Sequence, residues 1–464
     1  MRPQHEAADG LAGPPVAFGG SAAGPRPTLG LRHALAICVG IVIGAGIFRS
    51  PSLVAANSSD PAIFMLAWMA GGLLSIIGAL CYAELASAYP GPGGEYSYLR
   101  RAFGERVGFL YAWARLAVIQ TGSLALLAFV FGDYAAQVIL LGPSGPTLLA
   151  AAVVVMLTAI NWAGVRQGAG TQLWLTVVEV SGLLLIIATG LVLASGEATA
   201  AAAPASGGTQ LGLVMVFILL TFGGWSEAVY VSAELRNAPR RIAIVLIASL
   251  TLVTILYLLV NAAFLRVLGL DGLAASDAAA TDTMRAVLGD SGALVISVTV
   301  AIAALTSANA TIFTGARTAY ALGRGVPALG WLGRWSGARE TPGNALLVQG
   351  AVALLLVVIG GISRDGFRNA VEFTAPVFWL FMLGVGVALF VLRRRDRGRL
   401  RPFRVPLYPL LPLIFCATSA YLLYSSIAYS GWSALAGVAL LAAGGVLSFL
   451  IRLPPVAQAQ KENE

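Results

Sequence analysis

The stretch Gly40-Ile-Val-Ile-Gly44-Ala45-Gly46-Ile47-Phe48 lies inside an apolar run over residues 33–56. A second glycine pair, in Leu220-Thr221-Phe222-Gly223-Gly224-Trp225-Ser226-Glu227, lies inside a run over 209–235. Each run is long enough to cross a bilayer as a helix, which takes about 20 residues, yet each carries glycines where a helix would be continuous. Unwinding a helix at mid-membrane frees backbone N–H and C=O groups. Hydrocarbon offers them no partner, so a break survives only where a cavity or a ligand satisfies it. Two broken spans in corresponding positions of two halves of a chain are the strongest sequence pointer to a binding site at the midplane.

The chemistry of such a site follows from its helix ends. The half-helix that begins near Ala45, Gly46 and Ile47 presents N–H groups and the positive end of its dipole, which suits a carboxylate. The carbonyls that end the preceding half, near Val42 and Ile43, suit an ammonium. A zwitterion fits between them. The competing reading is that Gly44 and Gly46 merely let two helices pack closely, as small residues do in membrane proteins.

The rest of the chain supports a membrane setting. Of 464 residues, 58% are hydrophobic and only 11% charged, less than half the charge that covers a soluble surface. Hydrophobic patterning marks about twelve runs, at 33–56, 61–88, 106–141, 147–165, 170–194, 209–235, 242–268, 292–322, 344–362, 369–392, 406–428 and 431–451. The formal charge of +8 does not indicate a nucleic-acid partner, because the arginines alternate with the loops. Arg100, Arg101, Arg166, Arg240, Arg241, Arg324 and the dense run from Arg393 to Arg404 share one side, and the intervening loops are poor in basic residues. That asymmetry places both termini in the cytoplasm of a cell-membrane protein. Residues 1–30 read as a disordered tail without the apolar core of a signal peptide. Cys38, Cys81 and Cys416 sit in apolar runs without ligand spacing, and the two histidines lie outside them, so no metal site, cofactor or nucleophile–base pair is expected.

Further motifs carry a resemblance. Tyr82-Ala-Glu84-Leu-Ala-Ser-Ala-Tyr-Pro90-Gly-Pro-Gly-Gly-Glu95-Tyr-Ser-Tyr-Leu-Arg-Arg-Ala-Phe-Gly104 closely resembles the loop after span two in permeases of the amino acid–polyamine–organocation superfamily. Gly44-Ala45-Gly46-Ile47-Phe48 is similar to their substrate-binding break. Gly223-Gly224-Trp225 followed by Glu234-Leu-Arg-Asn-Ala-Pro239 resembles their sixth span, and Arg401-Pro-Phe-Arg-Val-Pro-Leu-Tyr-Pro409 the approach to span eleven. The likeness runs in order from about residue 30 to about 450. It implies an all-α fold with a five-plus-five inverted repeat over 31–396, two accessory helices over 397–452 and a tail over 453–464. It implies a substrate carboxylate on the amides of Ala45 and Gly46, and an ammonium on the carbonyls of Val42, Leu220 and Gly223. Selectivity then falls to the walls, through Phe222, Ser226 and Glu227. The chain departs from the pattern twice. Leu220 stands where L-type transporters commonly have an aromatic gate, which passes that role to Phe222. Glu179 stands in span five where many members have a lysine, and Lys461 is the only lysine in the chain.

Ionisable groups in a bilayer are costly and default to functional candidates. Glu227 is a candidate for holding a substrate amine, carrying a proton or fixing its half-helix. Glu179 and Arg115 fall at similar depth in spans five and three, which predicts a buried pair. Glu84 and Glu234, beside arginines at cytoplasmic helix ends, are expected to be gate or structural residues, and Asp133 and Glu372 to be solvated or hydrogen-bonded. Thr306 and Ser307, in mid-span eight, could offer hydroxyls to sodium or simply bond their own helix. The expected activity is transport of amino acids by alternating access, as uniport, proton symport or exchange. A polyamine or cationic amine is the alternative substrate, suggested by Glu227, and an ion channel the alternative class, although no ring of charges or repeated filter appears.

Overall fold

The computed structural model describes residues 31–90, 94–164, 169–193, 209–228, 238–337, 339, 341–363, 365–428 and 431–451. Among these residues every regular element is helical, and the one pairing of strand type is an isolated bridge between Ser336 and Thr341. Both expected breaks are present. The first apolar run is α1 (Leu31–Ile43), a 3-10 turn (Ala45–Phe48) and α2 (Ser50–Ala56); the sixth is α9 (Leu211–Thr221) and α10 (Trp225–Ala228).

The intervening elements are α3 (Pro61–Ala88), α4 (Gly94–Phe103), and α5 (Glu105–Ala114), which continues through a π-helical turn (Arg115–Ile119) into α6 (Gln120–Ala135). Then come α7 (Gly145–Trp162) and α8 (Ala169–Ala188). After α10 follow α11 (Ala238–Ala275), α12 (Ala279–Gly325), α13 (Gly343–Ile362), α14 (Gly366–Arg395), α15 (Leu410–Ala428) and α16 (Trp432–Leu450). Among the described residues ten helices are long and apolar enough to cross a membrane, and the two broken runs stand besides them.

Several boundaries differ from the hydropathy reading. Span three is helical only to Ala135, short of residue 141. The helices of spans seven and eight run past their apolar stretches, and each turns sharply at a glycine, Gly269 and Gly289. The loop after span two contains α4, a polar helix whose register hydropathy does not reveal.

Burial sorts the helices. The span Glu105–Ala135 is 72% buried in its most apolar window and α16 only 28%, so the former is central and the latter peripheral. Exposed Leu435, Val446, Phe449 and Leu450 on α16 are the surface expected of a helix facing lipid. α11 packs on α1, α2 and α3, while α12 packs on α6 and α8, so the breaks are enclosed by helices.

Glu84 anchors the arginine-rich end, and its side chain is 1% exposed. It accepts from Arg393 Nε at 2.6 Å and from Arg393 Nη2, and the Val405 amide donates to it at 2.7 Å. Arg401 Nε lies 3.6 Å away. This joins α3 to α14 and to the segment before α15. Nearby, outside the span, Tyr89 Oη donates to Asp396 at 2.6 Å. Burial and that bond push its hydroxyl up to about 12, so it remains a donor. Glu372 is buried and accepts from Arg368 Nε (2.9 Å) and the Gly431 amide (3.0 Å), a hydrogen-bonded role as expected. Glu234 lies outside the described residues, as do both tails.

Replacing Glu84 with Ala takes the carboxylate from the Arg393 guanidinium and the Val405 amide, while Arg401 keeps its bonds to the Leu392, Asp396 and Arg399 carbonyls. Removing one partner of a buried ion pair costs about 3–5 kcal/mol. The Glu84→Ala protein should therefore unfold at a clearly lower temperature in detergent, and an unchanged midpoint would show that the anchor contributes nothing.

Candidate functional site

The first break is set by Gly44, whose φ of 45° and ψ of 168° suit a residue without a Cβ. α1 stops at Ile43 and the chain turns into the 3-10 segment at Ala45. Ala45, Ile47 and Phe48 are fully buried, whereas Gly44 and Gly46 are half-buried. The break thus anchors itself with side chains and leaves backbone toward the interior space. In the second break, Leu220, Gly223 and Gly224 are also half-buried, between the buried Thr221, Phe222 and Trp225.

The two breaks touch through backbone. A Cβ placed on Gly224 would lie 2.1 Å from the Ile41 carbonyl oxygen, so only glycine admits this approach. On the other side Gly46 faces Thr221, with a Cβ there 3.5 Å from the Thr221 methyl. Thr221 Oγ1 donates to the Phe217 carbonyl (2.7 Å) and meets Ser50 Oγ at 2.6 Å. The C-terminal end of α1, the start of the 3-10 turn and the C-terminal end of α9 therefore share one small volume.

The carbonyls in it already have donors. Tyr257 Oη on α11 contacts Ile43 O at 2.5 Å and Val42 O at 3.2 Å. The Gly223 amide donates to Leu220 O at 3.0 Å, and Gly223 O accepts from both the amide and Oγ of Ser226 at 3.3 Å. Each carbonyl oxygen has two lone pairs, so the single bonds to Val42, Ile43 and Leu220 hold those groups without saturating them, whereas Gly223 O has both occupied by Ser226. Tyr257 was not foreseen from the sequence; a tyrosine in an apolar helix carries no mark of its target.

Phe222 is fully buried against Tyr257 (ring centroids 4.9 Å) and Trp68 (6.2 Å), in a tilted aromatic group. Trp225 stacks edge-on against Tyr82 at 4.9 Å. Thr306 Oγ1 donates to its own helix at Ile302 O (2.8 Å), the ordinary use of a hydroxyl in a membrane helix, and Ser307 is half-buried beside it.

The expected Arg115–Glu179 pair does not form. Arg115 opens the π-helical turn and places Nη2 2.7 Å from both oxygens of Glu227, with Nη1 3.4 Å from Glu95. The wide turn adds a residue between Arg115 and α6, so Arg115 keeps the phase of α5 and not that of α6. Glu179, on α8, is 2% exposed, and its Oε2 has no hydrogen-bond partner among the described residues. Glu95, on α4, is the partner that sequence reading missed, since α4 looked like loop.

At the end away from the arginine run, Arg49 donates to Ser276 O (2.9 Å) and Asp277 (2.9 Å) and lies 3.8 Å from Asp133. Tyr134 Oη donates to Phe48 O at 2.7 Å. Both breaks are thus tied to their neighbours by charge, α2 at one end and α10 at the other.

Paired helix breaks enclosed by helices long enough to span a membrane are the architecture of a membrane transporter. The profile of the amino acid permease family matches residues 29–448, and the chain belongs to that family of amino acid transporters. It is 32% identical over 432 residues to b(0,+)-type amino acid transporter 1 of Mus musculus, covering 91% of this chain and 87% of that one. It is 27% identical over 407 residues to the serine/threonine exchanger SteT of Bacillus subtilis (strain 168), covering 87% and 92%. It is 28% identical over 407 residues to the cystine/glutamate transporter of Pongo abelii, covering 86% and 79%.

Gly224→Ala tests the backbone contact. The added methyl meets a carbonyl oxygen that cannot swing aside, and overpacking of this kind costs about 1–3 kcal/mol. Transport should fall more than tenfold, whereas Gly46→Ala, which has room, should remain folded. Wild-type transport by Gly224→Ala would mean that the breaks do not need to touch.

Proposed function

We propose that this protein carries amino acids across the cell membrane by alternating access, either exchanging one for another or moving them with a proton. The observation that carries the reading is the meeting of the two breaks at Gly224 and Ile41. In our reading the substrate then lies among the amides of Ala45 and Gly46 and the carbonyls of Val42, Ile43, Leu220 and Gly223. Its carboxylate takes the amides, and its ammonium takes the lone pairs left on Val42, Ile43 and Leu220 and displaces a Ser226 donor from Gly223. Such contacts recognise what all amino acids share. Ile47 and Phe222 pack behind the site, and Ser226 and Glu227 face its side-chain end.

The reading divides the chain into a five-plus-five repeat over 31–396, with two peripheral helices over 397–452 and tails at 1–30 and 453–464. Both termini are cytoplasmic, on the side of the arginine-rich loops. Exchange is supported by the likeness to relatives named as an exchanger and as a cystine/glutamate transporter. Glu179 supports proton movement. It is a buried carboxyl whose Oε2 has no hydrogen-bond partner among the described residues.

Counterflow in liposomes loaded with an amino acid tests the main reading. Labelled substrate should enter faster when the lumen holds unlabelled substrate. Amino acid methyl esters should compete at least about tenfold less well, as loss of a charge-assisted hydrogen bond predicts. Esters competing as well as the free acids would remove the carboxylate from the helix end.

Glu179→Gln tests the coupling. The neutral isostere removes a carboxyl whose oxygen is orphaned, and burying such a group carries a desolvation cost. Thermal stability should therefore be equal or higher, exchange should persist, and accumulation driven by a pH gradient should disappear. Intact accumulation would exclude Glu179 from coupling.

A further inference from the structure

Glu227 lies one turn beyond Gly223, and its carboxylate holds Arg115 with both oxygens at 2.7 Å from Nη2. Arg115 does not depend on that contact alone. Its Nη1 lies 3.4 Å from Glu95 Oε2 and donates to Tyr111 Oη at 3.1 Å. The Gln120 amide, oriented oxygen-first, accepts from Nη2 at 2.7 Å and from Nε at 3.3 Å. Glu95 is held in turn, by Tyr82 Oη at 3.1 Å and by Tyr111 Oη.

Exposure distinguishes the two carboxylates. The side chains of Arg115 and Glu95 are 5% and 4% exposed, while that of Glu227 is 33% exposed. One guanidinium therefore faces two carboxylates, and the carboxylate on the open side is the one that Arg115 can lose. Removing the sole partner of a buried cation is strongly destabilising. Here Glu95 and Gln120 remain behind when Glu227 turns away, so the opening is affordable.

We propose that Glu227 is a subsite for the ammonium or guanidinium of a cationic substrate side chain, which takes the place of Arg115 on the carboxylate. A side chain of positive charge balances the second carboxylate of the set. A neutral side chain leaves the Arg115–Glu227 pair closed, and an acidic one meets Glu227 with like charge. Glu95 is a positioning residue: it holds Arg115 back while Glu227 is engaged elsewhere. The inference rests on the proposed amino acid site between the breaks, and deepens it by naming a side-chain class.

The test uses the full chain in liposomes loaded with leucine, measuring entry of labelled lysine, leucine and glutamate. Lysine should exchange and glutamate should not. Glu227→Gln should lower the ratio of kcat/KM for lysine to that for leucine by roughly tenfold or more, the size of a lost charged hydrogen bond, and Glu227→Asp should restore part of it. Glu95→Gln should lower the same ratio through the KM for lysine, because Arg115 then has Glu227 as its remaining carboxylate in the set. Competition of lysine and leucine for binding to the detergent-purified variants gives the same ratio if a variant no longer turns over. A wild-type protein that exchanges leucine and excludes lysine overturns the subsite and leaves the carrier reading standing. Equal losses for lysine and leucine in Glu227→Gln also overturn it, and exchange of neither by the wild type removes both readings.

Discussion

The contact between the Gly224 position and the Ile41 carbonyl puts two pieces of main chain within van der Waals distance at the centre of a membrane protein. Hydrocarbon cannot solvate backbone polar groups, so each unwound stretch needs partners that the protein supplies. Much of the surrounding architecture serves that need. Tyr257 caps α1, Thr221 and Ser50 bridge the breaks, and Ser226 turns back on Gly223. The aromatic group of Trp68, Phe222 and Tyr257 closes the volume behind them. Side chains do the packing, and the backbone of the two breaks is left facing the volume they share.

Charge is used at the edges of this arrangement and in a different way. Arg49 ties the start of α2 to α6 and to the connection between α11 and α12, while Arg115 ties α10 to α4 and α5. Glu84, by contrast, joins α3 to α14 and touches neither break. The first two sets lie on the short helices that follow the two breaks. The third joins two long, unbroken helices. Ion pairs in low dielectric are strong while made and expensive to leave half-made, so they suit contacts that are either closed or replaced.

How much of this was legible in the sequence follows from the range over which each feature acts. The breaks were legible because glycine acts locally, and the spans were legible because hydropathy is a sum over neighbours. Glu227 stood out as a carboxylate past a break. Its partner did not, because 112 positions separate it from Arg115 and depth along a span says nothing about which way a side chain faces. Similar depth was what paired Arg115 with Glu179, and the π-helical turn at Arg115 leaves no mark in the sequence. Glu95 and α4 were hidden in a polar, glycine-flanked stretch with no apolar period to follow. Tyr257 looked like any aromatic in an apolar helix.

The π-helical turn at Arg115–Ile119 also has a meaning for the whole of its span. An α-helix advances about 100° per residue, and the surplus residue sets α6 out of phase with α5 by roughly that angle. α5 and the turn address Glu95 and Glu227, while α6 presents Asp133 and Tyr134 to Arg49 and Phe48. A straight helix would have to choose between those two azimuths. The insertion works as a phase shifter, letting one continuous rod read two differently oriented surfaces. Substitutions that retune one end of the molecule therefore need not rotate the other, provided the surplus residue is kept.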